Sequence, residues 1–432
     1  MSLTGPAFLD GIIALTVAAF VAVVVIWPHL TRRTPWHVAG RIGSLALVNV
    51  LVLLTAATQL NASFLFYTTW TDLVGSLSGH VPDQTTLHRG GDGRRAPSLH
   101  VAGARAAVAA TVPPLDQAAD SSGKLVYTVH GPLSGLTGTV VVVLPPGYTS
   151  PSDAAQRYPV LEAFHGYPSA PQGWLKNYPE PEVAQELADQ HELRTPLLVI
   201  PQIEIPAGVD TEGVNGLRGE PQVETWLTRD VPDWVGAHFR VDADRDGWAT
   251  IGDSAGGYVA AMATLLHPAQ YGAGIVFGGY YRPDFGPYYE PFGSDSAQAR
   301  RYDLVRAARA APPVSLWVQT SHADQLSYSS SAAFLRAVHR PTSVHAVVQR
   351  DVGHRLSVWV ALLPDALRWL GQNIRGFEPA PTSHTPALAT HRTPSPRSTL
   401  NARGAGPRAA APARSGRARQ HRDGRRRRPG AR

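Results

Sequence analysis

The run Trp248-Ala249-Thr250-Ile251-Gly252-Asp253-Ser254-Ala255-Gly256-Gly257 decides the fold. Its first residues are apolar or β-branched and predict a strand. Gly252-Asp253-Ser254-Ala255-Gly256 then fits G-x-S-x-G, in which small residues flank a serine held on a sharp turn at the top of a sheet. Among 40 glycines in 432 residues the pattern alone has limited weight. Its context raises that weight, because helix-forming and apolar residues fill 257–267, so strand, turn and helix follow in the order such an elbow requires. Ser254 is therefore the candidate nucleophile.

Outward from this point the chain alternates strand-like and helix-like runs. Strands are predicted at 125–129 and 137–144, at 158–164 and 197–205 with a helix at 181–189 between them, then at 275–279, 315–320 and 343–349. Helices are predicted within 221–239, near 330–338 and over 359–374. Continuous apolar strands separated by helices indicate an α/β layer fold with a mainly parallel sheet buried on both faces.

A serine hydroxyl needs a base to remove its proton and a carboxylate to orient that base. At an elbow of this kind the acid and the histidine follow the serine, in that order, on loops after later strands. The loop leaving 315–320 carries Ser321-His322-Ala323-Asp324-Gln325, and the loop leaving 343–349 carries Asp351-Val352-Gly353-His354. Asp324 is the candidate acid and His354 the candidate base. Asp351, three residues before His354 on the same segment, is the rival acid with the poorer reach, and His322 reads as a loop residue shaping the pocket. Stabilising an oxyanion takes two preorganised N–H groups. Ala255, the residue after the serine, supplies one, and Tyr167, after the early strand end Phe164-His165-Gly166, supplies the other. His165 reads as scaffold.

Asp242-Ala243-Asp244-Arg245-Asp246-Gly247 matches the first half of a calcium loop, with Asp253 at the twelfth position. A strand over 248–252 advances about 3.3 Å per residue and carries Asp253 roughly 23 Å from Asp246, too far to share an ion. The motif reads as a solvated turn, and no metal is expected. The aromatic segment 278–292 has two equal readings, a wall of the substrate site or a loop packed on its own rings.

Two runs near the N-terminus, 8–27 and 42–60, approach the roughly 20 residues that cross a bilayer. Arg32, Arg33 and Arg41 lie between them, so the positive-inside rule places that connection in the cytoplasm and the rest of the chain outside. A third span would reverse this topology. The segment 61–73 is too short to span and reads as interfacial, 75–123 mostly as a linker with a short helix at 102–112, and the globular domain as 124–375. From 376 onward, 13 arginines oppose Glu378 and Asp423, a charge of +11, so the other 375 residues carry +6 − 11 = −5. That tail, poor in large apolar residues, is expected to be disordered, with anionic lipid or wall polymer as its possible contacts and no specific nucleic acid. No cysteine is present, which excludes disulfides and thiol nucleophiles.

With Gly252 to Gly257, Phe164-His165-Gly166, Asp324 and Gly353-His354 in place, the domain resembles the putative-esterase family of α/β-hydrolases, which includes esterase D-like carboxylesterases and secreted mycolyltransferases. Arg240-Val241-Asp242, Glu224-Thr225-Trp226-Leu227, Trp359 and the run Leu363-Pro364-Asp365-Ala366-Leu367 extend the resemblance. The two spans followed by such a domain look like membrane-anchored actinobacterial members. The resemblance implies a Ser254-His354-Asp324 triad, acyl-ester chemistry and no cofactor. Mycolyltransferases use a glutamate where this chain has Asp324, so hydrolysis of an ester and acyl transfer to an envelope sugar both stay open. So does a non-catalytic envelope-binding role.

Overall fold

The computed structural model describes residues 2–79, 82–91, 108–109, 111–286 and 289–379. The helix expected over 102–112 falls largely outside these residues, as does nearly all of the basic tail.

Among the described residues nine strands form one sheet: β1 (Gln84–Arg89), β2 (Lys124–His130), β3 (Thr137–Val143), β4 (Val160–Phe164), β5 (Leu197–Pro201), β6 (Trp248–Asp253), β7 (Ala273–Phe277), β8 (Ser315–Ser321) and β9 (Ser343–Gln349). Their order is β1-β9-β8-β7-β6-β4-β5-β3-β2. From β9 across to β5 neighbouring strands are parallel, whereas β3 joins β5, and β2 joins β3, antiparallel. Every residue of β4, β5, β6, β7 and β8 is buried. That explains their continuous apolar runs, since a parallel sheet covered on both faces has no solvent side to mark with alternating polar residues.

The period-two pleat divides the core. Val140 and Val142 point to one face, with Trp226, Tyr258, Met262 and Phe334, while Val141 and Val143 point to the other, with Trp174, Leu187, Leu363 and Leu367. The helix Ala255–Leu266 covers the first face and the helices Glu180–Asp189 and Leu356–Asn373 the second. The parallel strands all end at one edge, so the loops that follow β4, β6, β8 and β9 converge there.

The expected elements are present to within a few residues. Two places depart from the expectation. Residues 84–89, inside the segment read as linker, are β1, paired antiparallel with β9 from Gln84↔Gln349 to Arg89↔Val344. The sheet therefore starts before residue 124. All six β1 residues are exposed and their pattern is polar, as suits an edge strand with little to bury, and this is why no apolar signal marked them. Second, 61–73, read as interfacial, is packed against the domain. It ends one long helix, turns, and starts another that lies against the loops after β8 and β9.

Helices α1 (Pro6–Ile26) and α2 (Pro35–Phe64) are long and apolar enough to cross a membrane by length and composition. They pack side by side, with the Thr16 and Thr55 hydroxyls 2.8 Å apart between them. Each hydroxyl also lies 2.9 Å from the carbonyl oxygen four residues earlier, so with one proton apiece both find a partner in an apolar setting. Most of the two helices' remaining apolar surface, Phe20, Val24 and Leu53 included, is exposed. A shorter helix, α3 (Trp70–Ser78), follows.

Candidate active site

Ser254 sits between β6 and the helix Ala255–Leu266 with φ +54° and ψ −121°, a conformation that a residue bearing a Cβ rarely adopts. The glycines around it leave room for that turn. A Cβ on Gly252 would lie 2.1 Å from Gly256 O, and one on Gly256 would lie 2.0 Å from Phe164 O. Larger residues at either position would push the turn off the sheet. The Ser254 N–H donates to Phe277 O at 2.9 Å, which ties the elbow to the neighbouring strand end.

The sequence-selected base and acid converge on this serine. His354 Nε2 lies 2.8 Å from Ser254 Oγ, and His354 Nδ1 lies 2.9 Å from Asp324 Oδ2. Asp324 is 2% exposed and fully engaged. Its Oδ2 also accepts from Ser327 Oγ at 2.6 Å, and its Oδ1 accepts from the N–H groups of Leu326 and Ser327 at 3.0 and 3.2 Å. Burial pushes this carboxyl up, but the hydrogen bond and charge of His354, with the Ser327 donors, outweigh burial and hold it below the usual carboxylate range. An ionised Asp324 facing Nδ1 keeps the proton on that nitrogen and leaves Nε2 free to accept from the serine.

The rival acid Asp351 is exposed, and His354 is paired with Asp324 instead. His322 is exposed and packs on the Tyr328 ring at 4.4 Å rather than entering the cleft. His165 is buried, donates from Nδ1 to Gly166 O at 3.0 Å, and is pushed by burial down to about 4, so its ring is neutral scaffold. In the segment 278–292, Phe285 packs edge-on against Phe292 and Tyr289, while Tyr280 stacks on Tyr258 and Tyr281 on Phe334. None of its described residues lines the cleft at Ser254. The segment's rings pack partly on one another and partly on the core residues Tyr258 and Phe334.

Ala255 opens the helix after the serine, so its N–H lies among the first-turn donors that have no intrahelical acceptor. Gly166 lies close by: a Cβ built on it would be 3.4 Å from Ser254 Cβ and 3.2 Å from Asp253 Oδ2. Gly166 therefore borders the nucleophile, and Tyr167 lines the same cleft.

The cleft over Ser254 has a volume of about 180 Å³ and is walled by Tyr167, Trp174, Tyr178, Trp359, Phe64 and Phe66. Trp359 meets the His354 ring edge-on at 4.8 Å. Asp253 is buried beside the serine, and burial, partly offset by His354, pushes it up to about 7. Sequence reading missed the contributions of Phe64 and Phe66, which lie at the end of α2, far before the serine in the chain. The one available signal was the density of aromatic residues just after an apolar span.

Residues 135–370 match the model of the family described as "Putative esterase". An uncharacterized protein of Corynebacterium glutamicum is 24% identical over 258 residues, which are 53% of this chain and 56% of that one. The chain thus spans little more than half the length of the curated relative it matches. Among solved structures, an S-formylglutathione hydrolase from Agrobacterium tumefaciens is 19% identical with a TM-score of 0.49, covering 59% of this chain and 97% of its own. A ferulic acid esterase is also 19% identical, with a TM-score of 0.48 and the same coverage.

Proposed function

Because the chain belongs to the putative-esterase family of α/β-hydrolases and is a serine hydrolase of that family, we propose that it is a membrane-anchored esterase working through an acyl-enzyme on Ser254. The observation that carries this reading is the unbroken hydrogen-bonded series from Ser254 Oγ through His354 to Asp324 at the strand ends. In the first half-reaction, Ser254 Oγ attacks the ester carbonyl carbon as His354 Nε2 takes the hydroxyl proton. The N–H groups of Ala255 and Tyr167 receive the oxyanion, a contribution worth about 10²–10³ in rate per donor at comparable sites. Collapse of the tetrahedral species passes the proton from His354 to the departing alkoxide. Water, or another hydroxyl, then attacks the acyl-enzyme with the same base assistance, and Ser254 is regenerated. Asp324 holds the imidazole in the required tautomer and balances its transient positive charge.

The apolar ring of Phe64, Phe66, Trp174 and Trp359 suits an acyl group with a hydrophobic body. Anchoring rests on α1 and α2, with Arg32, Arg33 and Arg41 holding their connection in the cytoplasm and the catalytic edge outside. Labelling of detergent-solubilised full-length protein with a fluorophosphonate probe tests the central claim. Wild type should label and Ser254→Ala should not; undiminished labelling of Ser254→Ala would sink the proposal.

A further inference from the structure

The loop that carries His354 is held by residues from the far end of the chain. The His354 N–H donates to Leu65 O at 3.0 Å, and the Gly353 N–H donates to Asp72 Oδ2 at 2.8 Å. Arg355 Nη1 reaches the same Asp72 oxygen at 2.6 Å and Phe66 O at 3.1 Å, while its guanidinium lies over the Tyr67 ring, 4.6 Å from the centroid. Three consecutive residues of the histidine loop are thus bonded to one short segment. The acid's loop is held by it as well, because Thr68 Oγ1 donates to Ala323 O at 3.0 Å, one residue before Asp324.

This segment is itself constrained. Leu65 ends α2 in the left-handed region at φ +56°, and the Asn61 side chain brackets the turn by donating to Tyr67 O and accepting from the Tyr67 N–H, both at 2.8 Å. Thr69 caps α3 by accepting from the Asp72 N–H. Asp72 is 4% exposed and Arg355 8%, so their pair lies inside the protein rather than on its surface. The fit is close on the other side too: a Cβ on Gly353 would lie 2.3 Å from Phe66 O.

From this geometry we infer that Asp72 is a positioning residue for the esterase reaction. Together with the Leu65 and Phe66 carbonyls it fixes the backbone on which His354 approaches Ser254, so the catalytic site is complete only with the end of the second apolar helix docked against it. This role rests on the triad proposed above. Asp72 touches no reacting atom; it acts through the Gly353 N–H and Arg355. A displacement of about 1 Å in a reacting group can cost on the order of 100-fold in rate, so loosening one loop anchor should be visible in kcat.

The test uses full-length protein in detergent, with a p-nitrophenyl ester as substrate. Asp72→Ala should lower kcat by about tenfold to a hundredfold, with KM within about twofold of wild type because the cleft wall is intact. Asp72→Asn keeps an oxygen that can accept from the Gly353 N–H, and it should recover most of the lost kcat. Wild-type kcat in folded Asp72→Ala, or an equal loss in both variants, would overturn the inference. If Asp72→Ala does not fold, Arg355→Lys replaces it: the cation stays, but the planar guanidinium that holds Nη1 on both Asp72 Oδ2 and Phe66 O and Nε on Ser357 Oγ is lost, and kcat should fall with KM unchanged. Unchanged kcat there overturns the inference. Ser254→Ala separates the two readings, since activity surviving in Ser254→Ala removes the triad reading, whereas its loss alongside full activity in Asp72→Ala removes only the role of Asp72.

Discussion

Gln319 Nε2 donates to Gln349 Oε1 at 2.9 Å, joining the ends of β8 and β9 immediately below the loops that carry Asp324 and His354. The Gln319 Oε1 accepts from the Gly278 N–H at 2.9 Å, so one buried side chain ties three consecutive strand ends together. Gln319→Leu would leave both the Gly278 N–H and the Gln349 carbonyl oxygen without these partners in the interior. A loss of about 1–3 kcal/mol per unsatisfied group is expected. Urea denaturation followed by tryptophan fluorescence measures it; stability equal to wild type would show that these strand ends are held in another way.

The acid assignment is open to a direct comparison. Asp324→Asn should reduce kcat by about 10³–10⁴-fold through loss of the charge and the imposed tautomer, whereas Asp351→Asn, an exposed site, should change it less than about twofold. Steady-state ester hydrolysis separates the two variants. Equal losses would mean that Asp351 shares the work.

At Gly256 the limit is steric. Gly256→Ala places a methyl group where Phe164 O already lies, 2.0 Å away, and backbone cannot yield as a flexible side chain would. The expected cost is at least about 1–3 kcal/mol, with slower fluorophosphonate labelling because the elbow must shift. A melting temperature equal to that of wild type would contradict the close packing of helix on strand.

Three buried carboxyls should each cost stability as pH rises above about 4. Burial pushes Glu180 and Glu162 up to about 8 and Asp253 up to about 7. In each case the unfolded carboxyl releases its proton near pH 4 while the folded one retains it, so the folded state binds more protons between the two values. Each group's contribution is therefore full below about pH 4 and is lost as pH climbs toward 7 or 8, at up to about 1.4 kcal/mol per pH unit. Glu180 Oε2 has no hydrogen-bond partner, so Glu180→Gln should flatten this slope. Urea midpoints at about pH 5 and about pH 8 give the readout; the same slope in both proteins would exclude Glu180 as a source.

Topology can be mapped cleanly because the chain has no cysteine. A single cysteine at the exposed Leu133 of the catalytic domain should react with a membrane-impermeant maleimide in intact cells. One at Thr31, in the arginine-flanked connection between α1 and α2, should react only after permeabilisation. The reverse pattern would invert the proposed orientation.

An esterase assay on a fragment starting at Lys124 would omit β1 and every residue from Leu65 to Asp72. Such a fragment should be poorly active even if it folds, and its inactivity would not count against the triad.

The sequence by itself determined the elbow, the order of serine, acid and histidine, the parallel strands and the two apolar helices. These are local properties: a glycine pattern, a period, or a continuous apolar run is written in consecutive residues and needs no partner to be legible. Tertiary structure alone decided that the polar stretch Gln84–Arg89 closes the sheet against β9 and that Asp72 grips the histidine loop, and it set the 2.9 Å contact through which Asp324, already chosen over Asp351 in the sequence, meets His354. Those outcomes depend on groups up to 283 positions apart, as in the Asp72–Arg355 pair. A short polar strand or a lone aspartate carries no local mark of its partner, because the free energy that selects it arises only when the two segments are buried against each other.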